Sequence, residues 1–495
     1  MSTTPMPDRW IQLCTDGAVQ VDSITTAAGG ILRHGNGEWI IGYNRFLCEC
    51  FLDGLALIQD RRYAGVMIQM DNIEDFKFYN TFFERLIKLL IALPMVFDTR
   101  QGLKVFMEIP KEDLISSSNA KAAQGARTFN VKYYGAIADG RTDNRKAFLR
   151  AWMDACDQKG VSIVYIPKGV YMLGSVEFAG PCRGVTMFFM KGDLRAPRGA
   201  FLNVETWLGF RYVDNLIMKG GGTLDGQGQS AWPFNQCHKN NNCQTLPISV
   251  KFDFVTNSRI KSIRSIHSKN AHFSFFGCTN INISNVELLA PDYSPNTDGI
   301  KMGSSSNIRI SYSKISTGDD CIAILSNTSN IDISNVYCGP GHGISIGSLG
   351  KYTNEKNVNG VSVRKCTLNG TDNGIRIKSW ESPISITASN FLFQDIFMYN
   401  VRNPIIIDQT YCPHPPCNRQ TASHVQIRDV TYRNIFGTSS SEIAVSMQCS
   451  KKFPCKNIVM TDIKFGHHGT KKSLKSYCSY VNGRSFGRQY PPPCF

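Results

Sequence analysis

The sequence lacks a hydrophobic run long enough to cross a membrane. Its most apolar stretch, LIKLLIALPMVF, spans only residues 86–97, whereas a spanning helix needs about 20 apolar residues. We expect this stretch to form a buried helix instead. The opening residues MSTTPMPDRWIQLCTDG also lack the basic segment and apolar run of a signal peptide. We therefore expect no membrane partner and no signal peptide at this N-terminus.

Acidic residues are scarce relative to basic ones. The chain has 39 Asp and Glu against 54 Lys and Arg, which gives a formal net charge of +15. A basic balance of this size favours a polyanionic partner such as a nucleic acid, an acidic polysaccharide or a membrane surface. Charge alone does not choose among these three classes.

No CxxC pair occurs among the 17 cysteines, and the nine histidines do not cluster beside them, which argues against structural zinc. Several cysteines instead lie close together in sequence. These pairs are Cys237 with Cys243, Cys412 with Cys417, Cys449 with Cys455 and Cys478 with Cys494. Short spacings of this kind predict local disulfides and an oxidising compartment. That expectation conflicts with the missing signal peptide.

A short motif, Asn followed by alternating apolar and polar residues, recurs from residue 215 onward. It occurs as NLIM at 215, NSRI at 257, NINI at 280, NIRI at 307, NIDI at 330, NGVSV at 359, NFLF at 390 and NIVM at 457. The steps from Asn280 to Asn307 and on to Asn330 are 27 and 23 residues. Such periods predict a solenoid. Short alternating strands with Gly, Asn and Ser turns favour a right-handed parallel β-helix, with the asparagines in left-handed conformations.

The composition changes near residues 115–127, where SSSNAKAAQGA is typical of a linker. We expect a first segment over residues 1–115, a linker over 116–127 and a main domain over 128–495. In the first segment, GGILRHGNGEWIIGYNRFL predicts a β-hairpin. At the start of the main domain, an amphipathic helix from about Asn144 to Cys156 would cap the open end of the solenoid core.

Three aspartates and a histidine recur at about one coil length. Asp298 to Asp319 is 21 residues, and Asp320 to His342 is 22. Residues one period apart lie above one another on the same face of a β-helix, with adjacent strands ~4.8 Å apart. Any one of these aspartates alone would most simply cap a turn. Their common register predicts a stripe of three carboxylates and an imidazole.

Adjacent carboxylates at Asp319 and Asp320 repel each other, so one of their pKa values should rise. A protonated carboxyl beside an ionised one is what glycoside hydrolysis requires, and carboxyls on neighbouring coils leave room for water, which predicts inversion. A regular strand would direct the two side chains to opposite faces. Both can reach one cleft only if the chain bends there.

A second polar group follows the stripe. Arg376 and Lys378 are two residues apart in GIRIKSW, so they point to one face of a strand, and Asn296 and Asp298 have the same relation. An Arg and Lys strand face is usually a solvated edge. Beside the carboxylates, the two cations would instead hold the carboxylate of an acidic sugar.

The motifs NTD, GDD, GHG and RIK, in this order and spacing, resemble those of the polygalacturonases, glycoside hydrolase family 28. The resemblance covers about Thr128 to Phe495 and is strongest to the plant exopolygalacturonases. It implies an all-β right-handed parallel β-helix, of the pectin lyase-like solenoid type, without metal or other cofactor. It also implies inverting hydrolysis of α-1,4-galacturonan by a protein that is secreted to the cell wall and is monomeric.

The resemblance also implies roles for the stripe residues. By position, Asp319 would be the general acid, and Asp298 and Asp320 would activate water. His342 would support the acid.

The same resemblance assigns substrate contacts. Asn296 would contribute to a sugar subsite, and Arg376 and Lys378 would bind the galacturonate carboxylate. Tyr411 is a further subsite candidate.

The first segment resembles a different family. TDGAV, AAGGILRHGNGEWIIGYNRFL and DGLALIQDRRYAGVMIQMDN are similar to the ribonuclease H-like domain of plant retroelement-derived proteins. That site holds two Mg²⁺ ions on several carboxylates, and Asp16 and Asp71 match two of them. Glu49 does not sit at the family position and the later acid region is missing, so we expect a truncated, inactive α/β ribonuclease H-like segment.

Four other functions stay open at this point. The enzyme would be endo-acting if the cleft is open at both ends. A pectate lyase on a similar solenoid would need Ca²⁺, and a non-catalytic solenoid would bind galacturonan without cleaving it. The basic charge also allows nucleic-acid binding, but no basic run interleaved with aromatics supports it.

Overall fold

In the computed structural model, side chains are described for residues 126–199, 204–235, 245–413, 415, 417, 421–469 and 473–495. Within the first 125 residues, the backbone of six strands is described. Contacts between Cα atoms divide the chain into two compact units, Met1–Lys121 and Ala122–Phe495.

The described strands of the first unit form one mixed sheet. They are β1 (Trp10–Gly17), β2 (Ala27–His34), β3 (Trp39–Phe46), β4 (Gly65–Met70), β5 (Met95–Asp98) and β6 (Leu103–Glu108). Their order is β3-β2-β1-β4-β6-β5, and only the β1 and β4 pair is parallel. The predicted hairpin is confirmed as β2 and β3. The predicted helix over residues 86–97 is wrong at its end, because residues 95–97 lie in β5; residues 86–94 are outside the described part.

The second unit is a right-handed parallel β-helix, as predicted. Each coil contributes strands to three faces. Face 1 is an eleven-stranded parallel sheet. Its strands are β11 (Val176–Ala179), β14 (Thr206–Arg211), β17 (Ile248–Asp253), β20 (Phe273–Phe276), β23 (Ile300–Gly303), β26 (Ile322–Ile324), β29 (Ile344–Leu349), β32 (Asn373–Ser379), β34 (Asn403–Asp408), β36 (Ile443–Gln448) and β38 (Lys475–Ser479).

Faces 2 and 3 form the other, continuous sheet. The strands of face 2 are β9 (Gly160–Ile166), β12 (Gly184–Met190), β15 (Leu216–Lys219), β18 (Thr256–Lys261), β21 (Thr279–Ser284), β24 (Ser306–Ser311), β27 (Ser329–Ser334) and β30 (Val358–Arg364), with β7 (Arg127–Asn130) paired to β9. The strands of face 3 are β8 (Asp139–Asp143), β10 (Val170–Met172), β13 (Asp193–Arg195), β16 (Thr223–Asp225), β19 (Arg264–Ile266), β22 (Glu287–Leu289), β25 (Lys314–Ser316), β28 (Tyr337–Cys338) and β31 (Thr367–Asn369). Four later strands are long: β33 (Thr387–Val401), β35 (Gln426–Ser439), β37 (Cys455–His467) and β39 (Val481–Tyr490). Of these, β33 pairs with both β30 and β31 and so joins the two faces.

Like side chains stack along the axis of the solenoid. On face 1, Ile300, Ile322, Ile344, Ile375 and Ile405 pair in register on five successive strands, and all are fully buried. On face 2, the register advances by the 27 and 23 residues that the sequence predicted. Each inward residue thereby covers the one below it, and the core is continuous.

Seven of the eight recurring asparagines form the predicted left-handed turns; at NGVSV, Gly360 takes the left-handed conformation and Asn359 does not. Asn257, Asn280, Asn307 and Asn330 have φ between 50° and 58°. Each of the last three donates its side-chain amide to the Oδ1 of the asparagine one coil before, at 2.9 to 3.2 Å. Asparagine tolerates this conformation better than other side chains, and the ladder satisfies its amide.

Helix α1 (Arg145–Asp157) confirms the predicted capping helix. It packs against β7, β9, β11 and β12, which are among the first strands of the solenoid. Its buried face includes Phe148 and Trp152, and Trp152 Nε1 donates to Ala179 O at 2.9 Å. Two 3-10 helices, Gly228–Ser230 and Trp232–Phe234, occupy the excursion between β16 and β17.

Three of the four predicted cysteine pairs are disulfides: Cys412–Cys417, Cys449–Cys455 and Cys478–Cys494. The fourth, Cys237 with Cys243, lies outside the described residues. Sequence spacing did not predict two further disulfides, Cys156–Cys182 and Cys321–Cys338, because winding of the chain brings their ends together. Over the described part of the chain, no helix has the length and apolarity to cross a bilayer.

Candidate active site

The predicted stripe lies at the start of three successive strands of face 1. The register between β23, β26 and β29 advances by 22 residues per coil. Asp298, Asp320 and His342 are also 22 residues apart, and each lies two residues before its strand. These three side chains therefore occupy equivalent positions. The 21-residue step from Asp298 to Asp319 is one short of this register, so Asp320, not Asp319, takes the equivalent position.

The chain bends where both adjacent carboxylates must face one cleft. Residues 317–321 belong to no strand, and Asp319 Oδ1 accepts the backbone N–H of Asp320 at 2.8 Å. At Gly318, a Cβ would clash with Ser294 O, so the bend requires glycine. The structure therefore contains the bend that the sequence analysis required for both carboxylates to reach one cleft.

Asp319 is paired with the imidazole of His342. His342 Nδ1 lies 2.9 Å from Asp319 Oδ1. Burial raises the pKa of Asp319, but the hydrogen bond and charge of His342 outweigh it and lower that pKa to about 2. The same hydrogen bond raises the pKa of His342. Asn296 Nδ2 lies 3.5 Å from Asp319 Oδ2, so the structure brings Asn296 to the cluster.

Asp320 is clamped by cations from the following coils. Its side chain is only 4% exposed. Arg376 Nη2 donates to Oδ1 at 2.7 Å, and Lys378 Nζ donates to Oδ2 at 2.9 Å. Ser345 donates to the same Oδ1 at 2.7 Å and accepts from Arg376 Nε at 3.0 Å. The two predicted cations therefore hold a carboxylate of the protein, and Ser345 is a member that sequence reasoning missed.

Asp298 is the carboxyl of the cluster whose pKa is raised. Its side chain is 10% exposed, and burial, reinforced by the charge of Asp319, raises the pKa of Asp298 to about 7. Lys301 Nζ lies 3.4 Å from Asp298 Oδ2 and opposes this shift; the charge of Asp298 in turn raises the pKa of Lys301. The expected rise within the Asp319 and Asp320 pair is wrong for Asp319, because His342 compensates its charge. Lys301 was not predicted.

An aromatic wall adjoins the clamp. Lys378 Nζ lies 5.2 Å from the ring centroid of Tyr411, a cation–π distance. Trp380 packs edge-on against Tyr411 with centroids 5.3 Å apart. Burial raises the pKa of Tyr411. The structure thus brings Tyr411 to the site, and it adds Trp380, which follows the RIK motif by two positions.

A pocket of about 200 Å³, here called the Asp298 pocket, opens on the other side of the cluster. Its lining residues are Asn235, Thr245, Leu246, Asn270, Asn296, Asp298 and Lys301. Trp232 and Leu246 pack together as a small apolar cluster of their own. Three of the lining residues, Asn235, Thr245 and Leu246, belong to the excursion between β16 and β17, whose role the sequence did not indicate.

Within the described residues, Asp319, Asp320 and His342 bring ligand atoms within 4.8 Å of one another. One imidazole and two carboxylates are donors that a divalent cation accepts. Here Asp320 is already bonded to Arg376 and Lys378, and Asp319 to the imidazole. The protein supplies the compensating positive charge itself, so the arrangement does not fit a resident metal.

The two acids predicted from the first segment cannot be placed in a site. Asp16 lies on β1, where only the backbone is described. Asp71 and Glu49 lie outside the described residues.

Comparisons with known proteins agree with this geometry. The sequence profile of the glycosyl hydrolases family 28 matches residues 156–486. An exopolygalacturonase of Arabidopsis thaliana is 43% identical over 379 residues, covering 75% of this chain and 84% of that protein. An exopolygalacturonase of Platanus acerifolia is 42% identical over 365 residues, covering 73% and 96%. The crystal structure of a hyperthermoactive exopolygalacturonase from Thermotoga maritima is similar with a TM-score of 0.59 at 20% identity, covering 73% of this chain and 90% of that one; this likeness shows a common fold.

Proposed function

Because the chain belongs to the glycosyl hydrolases family 28, we propose that it hydrolyses the α-1,4-galacturonosyl linkages of polygalacturonate, acting from a chain end. Several relatives at 40–43% identity are exopolygalacturonases, and they cover most of this chain. The substrate is therefore an acidic polysaccharide, one of the three polyanion classes that the net charge favoured.

The observation that carries the proposal is the pair Asp298 and Asp319. Asp298 is buried and Asp319 is partly buried beside it; the pKa of Asp298 is about 7 and that of Asp319 is about 2. Below about pH 7, Asp298 is therefore protonated while Asp319 is ionised. Glycoside hydrolysis needs both forms: an acid that protonates the leaving oxygen, and a base that activates water.

Two assignments of these roles are supported by different observations. The resemblance makes Asp319 the general acid, with Asp298 and Asp320 as the base pair for water. The pKa values of the free protein favour the opposite use of the first two, with Asp298 as donor. In either assignment, Asp320 stays hydrogen-bonded within its clamp, and water attacks from the face opposite the leaving oxygen with inversion.

The cations of the clamp would recognise the acidic sugar. A guanidinium has five N–H donors, and the contacts of Arg376 with Asp320 and Ser345 use two of them. The others can bind a galacturonate carboxylate, with Lys378 beside them and the Tyr411 ring covering the sugar face. Lys301 offers a further, half-exposed ammonium on the far side of the acids.

Action from a chain end is supported by the Asp298 pocket. A volume of about 200 Å³ accommodates a short end of a chain better than a continuous polymer. Lys301 would hold the carboxylate of the terminal sugar there. The rest of the polymer would extend past Asp320 toward Arg376, Lys378 and Tyr411.

The product profile tests this proposal. Purified protein incubated with polygalacturonate should release galacturonate monomer from the start of the reaction. A ladder of oligomers would indicate endo action. A product that absorbs in the ultraviolet would indicate a lyase, and binding without any shortening would indicate a non-catalytic solenoid.

The remaining expectations stay predictions. We propose that residues 128–495 form the hydrolase domain after a linker over 116–127, and that the protein is a secreted cell-wall monomer. A ribonuclease H-like origin of residues 1–115 remains a prediction, and the family match, which begins at residue 156, does not bear on it. Steeply salt-dependent binding to an RNA–DNA hybrid would reveal a retained nucleic-acid function.

A further inference from the structure

A second cavity lies on the outer side of face 1, over its first three strands. It has a volume of about 310 Å³ and is here called the N-terminal cavity. Its lining residues are Ser175, Val176, Glu177, Val204, Glu205, Thr206, Gly209, Phe210, Arg211, Lys251 and Asp253. It shares no lining residue with the Asp298 pocket.

Charges of both signs line the N-terminal cavity, and they are loosely paired. Lys251 Nζ lies 3.3 Å from Glu205 Oε2 and 3.4 Å from Asp253 Oδ2. Arg211 Nη1 lies 3.6 Å from Glu177 Oε2. Three acids against two bases leave a small negative excess. Such a lining does not favour an anion.

Two polar atoms of this lining have no hydrogen-bond partner. They are Asp253 Oδ1, an acceptor, and Arg211 Nε, a donor, and both are buried. Asp253 as a residue is 9% exposed. Arg211 and Asp253 face each other in the pairing of β14 with β17. Buried polar atoms without partners are unfavourable, and a ligand that both donates and accepts would satisfy the pair once the more exposed Arg211 side chain adjusts.

An exposed aromatic ladder borders the same residues. Tyr212 stacks on Phe254 with centroids 5.2 Å apart, and Phe254 meets Phe276 edge-on at 5.7 Å. All three rings are exposed. Arg211 Cζ lies 5.6 Å from the Tyr212 centroid, so the ladder is continuous with the cavity. A contiguous exposed apolar surface beside convergent polar groups is typical of a ligand site.

We propose that the N-terminal cavity and its aromatic ladder form a second carbohydrate-binding site, for an uncharged sugar unit. A sugar hydroxyl both donates and accepts, as Asp253 Oδ1 and Arg211 Nε require. The apolar face of a sugar ring packs on an aromatic ring. The negative excess of the lining disfavours galacturonate there.

The position of the cavity makes this site separate from the cleavage site. Lys251, Ser274 and Lys301 pair in register on successive strands, which places Lys251 two strand spacings, ~9.6 Å, from Lys301. On the proposed function, a chain held by its end at Lys301 extends away from this cavity. The neutral sugar must then belong to a side branch or to another molecule, and binding would anchor the enzyme near its substrate.

Titration of the full-length protein with β-1,4-galactotetraose, α-1,5-arabinotetraose and trigalacturonate tests the site. Trigalacturonate is titrated into the Asp319→Asn variant so that it is not consumed. We expect saturable binding of at least one neutral tetrasaccharide, weakened at least tenfold by Phe254→Ala and by Asp253→Asn. Phe436→Ala is the matched control, since Phe436 is a similarly exposed ring paired with Phe397 at 5.6 Å and lies away from the cavity.

Both cavity variants should cleave polygalacturonate at the wild-type rate, which also shows that they fold. No saturable binding of either neutral tetrasaccharide would overturn the site. So would binding that survives both substitutions, or binding of trigalacturonate alone that these substitutions abolish. If the wild-type protein binds a neutral tetrasaccharide but does not cleave polygalacturonate, the proposed function is contradicted and the second site is supported.

Discussion

His342 Nδ1 lies 2.9 Å from Asp319 Oδ1, and this contact decides which acid of the cluster is ionised. The imidazole lowers the pKa of Asp319 to about 2, whereas burial raises the pKa of Asp298 to about 7 although Lys301, at 3.4 Å, opposes the rise. The two carboxyls therefore differ in protonation because one is hydrogen-bonded to an imidazole and the other is mainly buried.

Replacement of Asp319 by Asn should lower kcat on polygalacturonate by about 10²–10⁴-fold, the usual contribution of a positioned acid or base. The measurement is the rate of galacturonate release. Asp332→Asn is the control, because Asp332 pairs with Arg364 on face 2, away from the cleft. A rate within twofold of wild type in Asp319→Asn would remove Asp319 from the mechanism.

The identity of the acid should follow from the leaving group. The aryloxide of an aryl α-galacturonide leaves without protonation. The variant that lacks the general acid should therefore lose far less activity on this substrate than on polygalacturonate. By the family resemblance, we expect Asp319→Asn to show this recovery and Asp298→Asn not to show it. The reverse pattern would assign the acid to Asp298, as the pKa values of the free protein favour.

With Asp298 as the donor, activity should fall as pH rises through about 7, because Asp298 holds its proton below that pKa and loses it above; with Asp298 as the base, activity should instead rise through about 7. The charge of Lys301 lowers this pKa, so Lys301→Met should raise it and move the alkaline limb of the kcat profile to higher pH. Lys314→Met removes an exposed ammonium that lies 3.9 Å from Glu287 and serves as the control. An alkaline limb that is unchanged in Lys301→Met, or that moves to lower pH, would show that Asp298 does not set this limb.

Lys378→Met should destabilise the fold, because it leaves the buried Asp320 with Arg376 as its only cation of the clamp. Removing one partner of a buried pair costs about 3–5 kcal/mol, and the remaining Arg376 places our expectation at the low end. Urea unfolding measures it. The loss of unfolding free energy in the double variant Lys378→Met, Asp320→Asn should be smaller than the sum of the losses in the two single variants.

Arg364→Met provides the comparison for that cycle, since its pair with Asp332 is half-exposed and such pairs contribute at most about 1 kcal/mol. An equally small loss of unfolding free energy in Lys378→Met and Arg364→Met would mean that the Asp320 clamp does not stabilise the protein.

Chelation should leave cleavage of polygalacturonate unchanged. Asp319 already has the His342 imidazole as its partner, and Asp320 has the cations Arg376 and Lys378, so no divalent cation is needed to hold them. The check is product release after dialysis against EDTA, with and without added Ca²⁺. A requirement for Ca²⁺ with an ultraviolet-absorbing product would favour the lyase alternative.

Much of the architecture could be predicted because it depends on local patterns. The spacing of the Asn motifs gave the coil length, since inward apolar residues must stack once per turn. Close cysteine pairs such as Cys449 and Cys455 could be recognised because their short spacing is also a local pattern. The excursion that walls the Asp298 pocket carries no comparable repeat, so its function was not apparent.

The details of the site could not be predicted because they depend on non-local geometry. A register of 22 residues, not 21, sets Asp320 level with Asp298. Ser345 and Lys301 look like ordinary strand residues until the coils bring them against these carboxylates.

The sequence by itself determined the repeating coil, the family and the three acids with two of their cations, because these follow from residue types and their spacing along one chain. Only the tertiary structure decided which cation neutralises which acid, and hence that Asp298 has the raised pKa. The physical reason is that a pKa depends on burial and on charges a few ångströms away, and residues up to 58 positions apart in sequence, such as Asp320 and Lys378, supply those charges.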